Sequence, residues 1–169
     1  RGMSLGAEGP DFCAAIINAQ FDGSIIIETG IHENGQGSES AMILTAAEYL
    51  GVKRERIRYH RSSTSTIPDS GTTVASRGTI MGTSAVVLAA TKLKEQMSRC
   101  LAPELDCTPE DVVFANDCLT APNGKSLTWD QAVLKMFFLR EHPFAQDTFR
   151  VRDGIDCSWD EETGHGKAY

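Results

Sequence analysis

No two cysteines in this chain stand at C-x-x-C spacing, and the total of five, Cys13, Cys100, Cys107, Cys118 and Cys157, is odd. That pattern disfavours a zinc site and a disulfide framework, and reduced intracellular thiols are the simpler expectation. No apolar run approaches the length of a membrane span, so no membrane role is expected. The opening RGMSLGAEGPDF has no basic stretch followed by an apolar one and does not read as a secretory signal. Positive charge is in deficit, with 16 Lys and Arg against 23 Asp and Glu and a net charge of -7. A chain so balanced argues against a nucleic-acid surface, because binding phosphates along a backbone requires a concentrated basic face. The one dense cationic stretch, KRERIRYHR from Lys53 to Arg61, alternates around Ile57 and Tyr59. It is expected to be a strand with one solvated face.

What is present is an ordinary globular composition, 41% hydrophobic and 23% charged over 169 residues, without low-complexity runs. With no internal repeat and no linker, residues 1–169 are expected to form a single domain. The chain opens at Arg1 and closes on GHGKAY, and truncation at both ends is expected. FCAAIINAQ and SIIIETG read as two strands joined at Asp22-Gly23, a turn pair suited to a hairpin. A helix is expected from Ser38 or Ser40 to Leu50, stopped by Gly51. RIRYH reads as a strand. The polar stretch from Arg61 to Ser76 has no apolar face and is longer than most connections. A long helix should start at Arg77 and end at Ala102-Pro103, with its Gly- and Ala-rich first half lying against other backbone and its Lys-Glu-Gln half in solvent. A short helix start at Thr108-Pro109-Glu110, a turn at PNGK, a helix capped by Thr128 and stopped at His142-Pro143, and a strand at DTFRVRD complete the reading. The fold class is α+β, a mixed sheet with helices packed on it.

Two loops carry the chemistry. Each leads from a strand to a helix, is rich in Gly, Ser and Thr, and would present backbone N–H groups at a helix N-terminus, an arrangement suited to an anion. The first is Gly35-Gln36-Gly37-Ser38. The second runs from Ser70-Gly71-Thr72-Thr73 through Ala75-Ser76-Arg77-Gly78-Thr79. Neither has the Gly-Lys-Ser/Thr ending of a phosphate loop, and the dinucleotide fingerprint lacks its third glycine.

Taken in order, GIHENGQGSES followed by AAEYLGV, then STSTIPDSGTTVASRGT followed by SAVVLAATKL, closely resemble the molybdopterin-binding large subunit of the xanthine dehydrogenase and aldehyde oxidase family of molybdenum hydroxylases. The E-x-G-Q-G and A-S-R-x-T motifs are specific in combination. The likeness resumes at SWDEETGHGKAY. It implies a molybdenum-cofactor-binding domain in which Gly35, Gln36 and Gly37 wrap the pterin, while Ser76, Arg77, Gly78 and Thr79 surround its phosphate. Many relatives have serine where this chain has Gly78, a change that removes a hydroxyl and keeps the N–H.

The resemblance also implies a reaction: hydroxylation of an N-heterocycle such as a purine, or of an aldehyde, with water as the oxygen source. The cofactor would be molybdenum-molybdopterin, and electrons would leave through iron-sulfur clusters and FAD on partner domains or subunits. Neither the family's catalytic glutamate nor its Gly-Gly-Phe segment and substrate-positioning arginine can be matched in these residues. No catalytic residue is therefore assigned, and the chain is expected to be inactive alone, in the cytoplasm, completed by the remainder of the large subunit or a second molybdopterin subunit. The alternative is a non-catalytic phosphate- or pterin-binding or assembly module of the same fold. Glu33 is expected to fix the Gln-Gly turn through backbone hydrogen bonds rather than to move protons. His32 has no partner at ligand spacing. The acidic group at Asp160 to Glu162 with His165 is expected to be a solvated turn, and Cys100 and Cys107 to be buried thiols. No metal ligand is assigned.

Overall fold

The computed structural model describes residues 12–61, 63–74, 76–150 and 159–166. Its first feature is the hairpin expected at Asp22-Gly23. Strands β1 (Phe12–Ala19) and β2 (Ile25–Thr29) pair antiparallel, Ile17 opposite Ile27. Gly23 takes the left-handed φ of 80° that the turn requires, and the Asp22 carboxylate accepts from the Ser24 amide at 3.0 Å. Along both strands alternate residues turn to one face, where Cys13, Ala15, Ile17, Ile25 and Ile27 are fully buried.

Helix α1 (Ser38–Leu50) follows β2, ends on Gly51 as expected, and returns the chain to β3 (Ile57–Tyr59), which lies parallel to β2. A parallel pair needs such a crossover. The cationic stretch is strand only over these three residues, because Arg54–Arg56 forms a 3-10 turn. Arg56 also departs from the expected solvated face. Its side chain is only 24% exposed and is paired with two carboxylates from later in the chain.

Helix α2 (Arg77–Leu105) runs through Pro103 rather than ending before it. The missing proline N–H falls in the last turn, where Leu101, Ala102 and Leu105 are buried and hold the backbone helical. The second half of α2 is not given over to solvent either. Leu93, Met97, Ser98 and Leu101 bury one face of it, and only the opposite face carries Lys92, Glu95 and Arg99 outward. The small-residue stripe is buried, Gly78, Gly82, Ala85, Ala89 and Ala90 alike, but at Gly78 and Gly82 it meets side chains, those of Ile31, Ser38, Met42 and Thr73, rather than the backbone expected.

After a 3-10 turn at Pro109–Asp111 comes a small sheet that the sequence pattern did not disclose: β4 (Val113–Ala115), β5 (Cys118–Thr120) and β6 (Ser126–Thr128), paired in that order. Asn116 and Asp117, with φ of 53° and 58°, make the β4–β5 turn, and PNGK makes the next. Three-residue strands are too short to show alternation. Helix α3 (Trp129–Phe138) begins with the capping box of Thr128 and Gln131. It stops before the expected His142-Pro143, where Arg140 turns left-handed (φ 63°) and the Glu141 amide closes on the Met136 carbonyl. Strand β7 (Phe144–Arg150) then pairs antiparallel with β1, completing a mixed sheet of order β3-β2-β1-β7. A last pair, β8 (Trp159–Asp160) and β9 (His165–Gly166), is joined by an exposed turn at residues 161–164, in the acidic segment read as a solvated turn. The fold is α+β, with α1 and α2 on one face of the mixed sheet. Cys157 and the VRD end of DTFRVRD lie outside the described residues.

Candidate functional site

Parallel strands β2 and β3 run in the same direction, so the loops that leave them emerge at one edge of the sheet, each leading into a helix. In open sheets that edge is where ligands collect. The first loop leaves β2 at Gly30. The Gly30 amide donates to Ser70 Oγ of the second loop at 3.0 Å, and a Cβ on Gly30 would stand 3.0 Å from the Ser70 backbone nitrogen and closer still to its side chain. One residue pair further, the His32 amide donates to Thr73 Oγ1 at 3.0 Å. Tyr59 Oη, at the end of β3, donates to the Ile31 carbonyl at 2.6 Å. Two loops separated by about forty residues of chain are thus stitched together by Ser70 and Thr73, whose hydroxyls the sequence placed in the second candidate loop and the structure turns to the first loop's amides.

Gly35 and Gly37 take left-handed φ of 95° and 82°, and Gly37 is the N-cap of α1. A Cβ at either position would meet no atom within 4 Å, so the surface beside them is open. The exposed Gln36 side chain is turned back on its own loop: its Nε2 donates to the His32 carbonyl at 2.6 Å and to Ser38 Oγ at 2.8 Å, and its Oε1 accepts from the Asn34 amide. Glu33 does what its place predicts. Oε1 accepts from the amides of Gly35 (2.7 Å) and Gly37 (3.0 Å), and Oε2 from the amide of Glu39 (2.9 Å). Those amides, Glu39 first, hold the exposed Glu33 carboxyl below its ordinary value.

Ser76 is the N-cap of α2 and, unusually for a residue with a Cβ, sits left-handed at φ 64°, with no side-chain cap bond. Gly78 is buried at the first turn of α2. Its Cβ position lies 3.4 Å from Ser38 Oγ and 3.5 Å from Ile31 Cγ2 and Thr73 Cγ2, so it sits where the two loops meet and an added Cβ would make ordinary contacts there. Thr79 is exposed beside it. Arg77 points the other way. Its guanidinium is buried and donates to the carbonyls of Ser70 (2.6 Å), Thr72 (2.9 Å) and, on β1, Phe12 (3.0 Å), which makes it a brace beneath the second loop. Gln36, Ser38 and Gly78 form a continuous line from one loop to the other.

The profile of the molybdopterin cofactor-binding domain family matches residues 1–169. The chain belongs to that family. It is 30% identical over 139 residues to xanthine dehydrogenase of Drosophila pseudoobscura pseudoobscura, covering 82% of this chain and 9% of that protein. To aldehyde oxidoreductase of Megalodesulfovibrio gigas it is 34% identical over 100 residues, 54% of this chain and 11% of that one. The molybdopterin-binding chain thus spans about a tenth of the length of these relatives. Among solved structures, quinoline 2-oxidoreductase from Pseudomonas putida 86 superposes with a TM-score of 0.78 at 22% identity, over 87% of this chain and 20% of the other. CO dehydrogenase from Oligotropha carboxidovorans does so with 0.74 at 24% identity, over 90% and 20%. Both share the fold.

The residues present suit such a cofactor. Gly35 and Gly37 leave open space, and the first-turn amides of α2 have no side-chain cap, which suits a phosphate at the positive end of a helix. Among the described residues no group of three or more His, Cys, Asp or Glu is placed to hold a metal ion, and no helix is long and apolar enough to cross a membrane. A shallow depression lined by Pro103, Asp106, Cys107 and Asn123 lies at the opposite end of α2, about 40 Å away at 1.5 Å per residue, and plays no part in the site.

Proposed function

We propose that this chain forms one wall of the pterin site in a molybdenum hydroxylase, with Gly35, Gln36 and Gly37 along the pterin and Ser76, Gly78 and Thr79 about its phosphate. The observation that carries the reading is the joining of the two loops at the edge of the parallel strands through His32–Thr73 and Gly30–Ser70. Arg77 serves the site from beneath, holding the loop that ends in Ser76. Residues 1–169 act as a single unit of a larger molybdopterin domain. The bound cofactor supplies the redox chemistry, hydroxylation of an N-heterocycle such as a purine, or of an aldehyde, with water as oxygen source. The chain itself binds, orients and shields that group, and is inactive alone. The remainder of the large subunit, or a second molybdopterin subunit, completes the substrate pocket, and iron-sulfur and flavin partners receive the electrons, in the cytoplasm. The names of the relatives, xanthine dehydrogenase and aldehyde oxidoreductase, support this assignment.

Gln36→Ala and Ser76→Ala in the complete protein test the placement. Each is expected to lower pterin and molybdenum content several-fold while thermal stability changes little, since both side chains are exposed. Wild-type content in both variants would contradict it.

A further inference from the structure

The N-terminus of α1 is already occupied by an anion, and the anion is the protein's own. One Glu33 carboxylate accepts three backbone amides, those of Gly35, Gly37 and Glu39, at 2.7–3.0 Å. Glu39 is the second residue of the helix and Gly37 its N-cap, so these donors are the ones that would otherwise hold an external phosphate. Both helices start from a left-handed N-cap, Gly37 and Ser76, but the end of α2 has no side-chain cap bond, whereas the amides at the start of α1 are taken by a carboxylate. Resting on the site proposed above, we infer that Glu33 is a positioning residue that permanently fills the first loop's anion seat. It holds Gly35 and Gly37 in their left-handed conformations and directs the cofactor's phosphate away from α1, so that the first loop meets only the uncharged part of the ligand. The two loops are therefore not equivalent, although their composition makes them look so. Gln36, latched by His32 and Ser38, is the part of the first loop left to face the pterin.

The test uses the complete protein freed of cofactor, with amide hydrogen exchange followed across residues 33–40. Glu33→Ala is expected to speed exchange several-fold at Gly35, Gly37 and Glu39, and millimolar inorganic phosphate to slow it again at those amides, whereas the wild type does not respond to phosphate there. Glu33→Gln separates the two oxygens. Its carbonyl can still serve Gly35 and Gly37, so only Glu39 should exchange faster, with pterin content of the loaded protein between those of Glu33→Ala and wild type. This graded rescue would not arise if Glu33 merely contributed stability. The inference is overturned if wild-type amides in this loop respond to phosphate, if Glu33→Ala leaves their exchange unchanged, or if both variants retain full pterin content. The first two outcomes concern the seat itself, and failure of the site assignment alone would appear instead in the Gln36 and Ser76 variants.

Discussion

Asp117 ties three segments together from one left-handed turn. Its carboxylate accepts from the Lys53 amide and from Arg56 Nε, both at 2.9 Å, while its backbone N–H donates to the Gly51 carbonyl and its carbonyl accepts from the Trp129 amide. Arg56 extends the link with a two-pronged pair to Asp130 at 2.6 and 2.9 Å. With the Asp117 side chain only 12% exposed, Asp117→Ala is expected to cost about 2–4 kcal/mol, because Arg56 loses a shielded partner and the Lys53 amide an acceptor. Burial pushes the Asp117 carboxyl up, but the Lys53 amide and the Arg56 guanidinium together outweigh it and hold the group below its ordinary value of 3.8. A depressed folded pKa contributes stability above the unfolded value that is lost as pH falls through the folded one. Urea denaturation at neutral pH and below about pH 4 should therefore show a smaller acid loss in Asp117→Asn than in wild type; equal losses would contradict the assignment. Residues of this kind were invisible beforehand, since Arg56 and Asp117 are 61 positions apart and nothing local distinguishes them from solvated charges. Gly37 and Glu33 were legible because their partners lie within six residues, where spacing alone predicts the bond.

Among the elements, α1 packs closely on α2 at Gly82. A Cβ there would stand 2.2 Å from Met42 Cε and 3.0 Å from Ile31 Cγ1. The methionine tip can move, and alanine gains about 1 kcal/mol of helix propensity over glycine, so Gly82→Ala should change stability by less than about 1 kcal/mol. Gly82→Val adds branching that neither Met42 nor Ile31 can clear, and is expected to cost about 1–3 kcal/mol, measured by thermal melting. Should valine be neutral, the helices are not packed as described. That α2 would carry a face of small residues was readable from Gly78, Gly82, Ala85 and Ala89. Its passage through Pro103 was not, because burial of Leu101 and Leu105 against later segments overrides a local stop signal. The β4–β5–β6 sheet was hidden for a related reason: its strands owe their pairing to the Asn116-Asp117 and PNGK turns and to burial of Phe114, Leu119 and Leu127 rather than to any periodicity of their own.

At the scale of the whole molecule, topology does what composition only suggested. The parallel β2–β3 pair brings both strand-to-helix loops to one edge, and hydroxyls of Ser70 and Thr73 lock them in register. On a chain with a net charge of -7, the proposed site would draw an anionic ligand by local amides and a helix end rather than by any broad basic surface. The joint site is the central claim, and the most direct test is amide exchange of the complete protein compared with and without its bound cofactor. Loading should slow exchange together in residues 30–40 and 70–81 and leave residues 106–125, at the far end of α2, unchanged. Protection confined to one loop, or found in neither, would contradict the account.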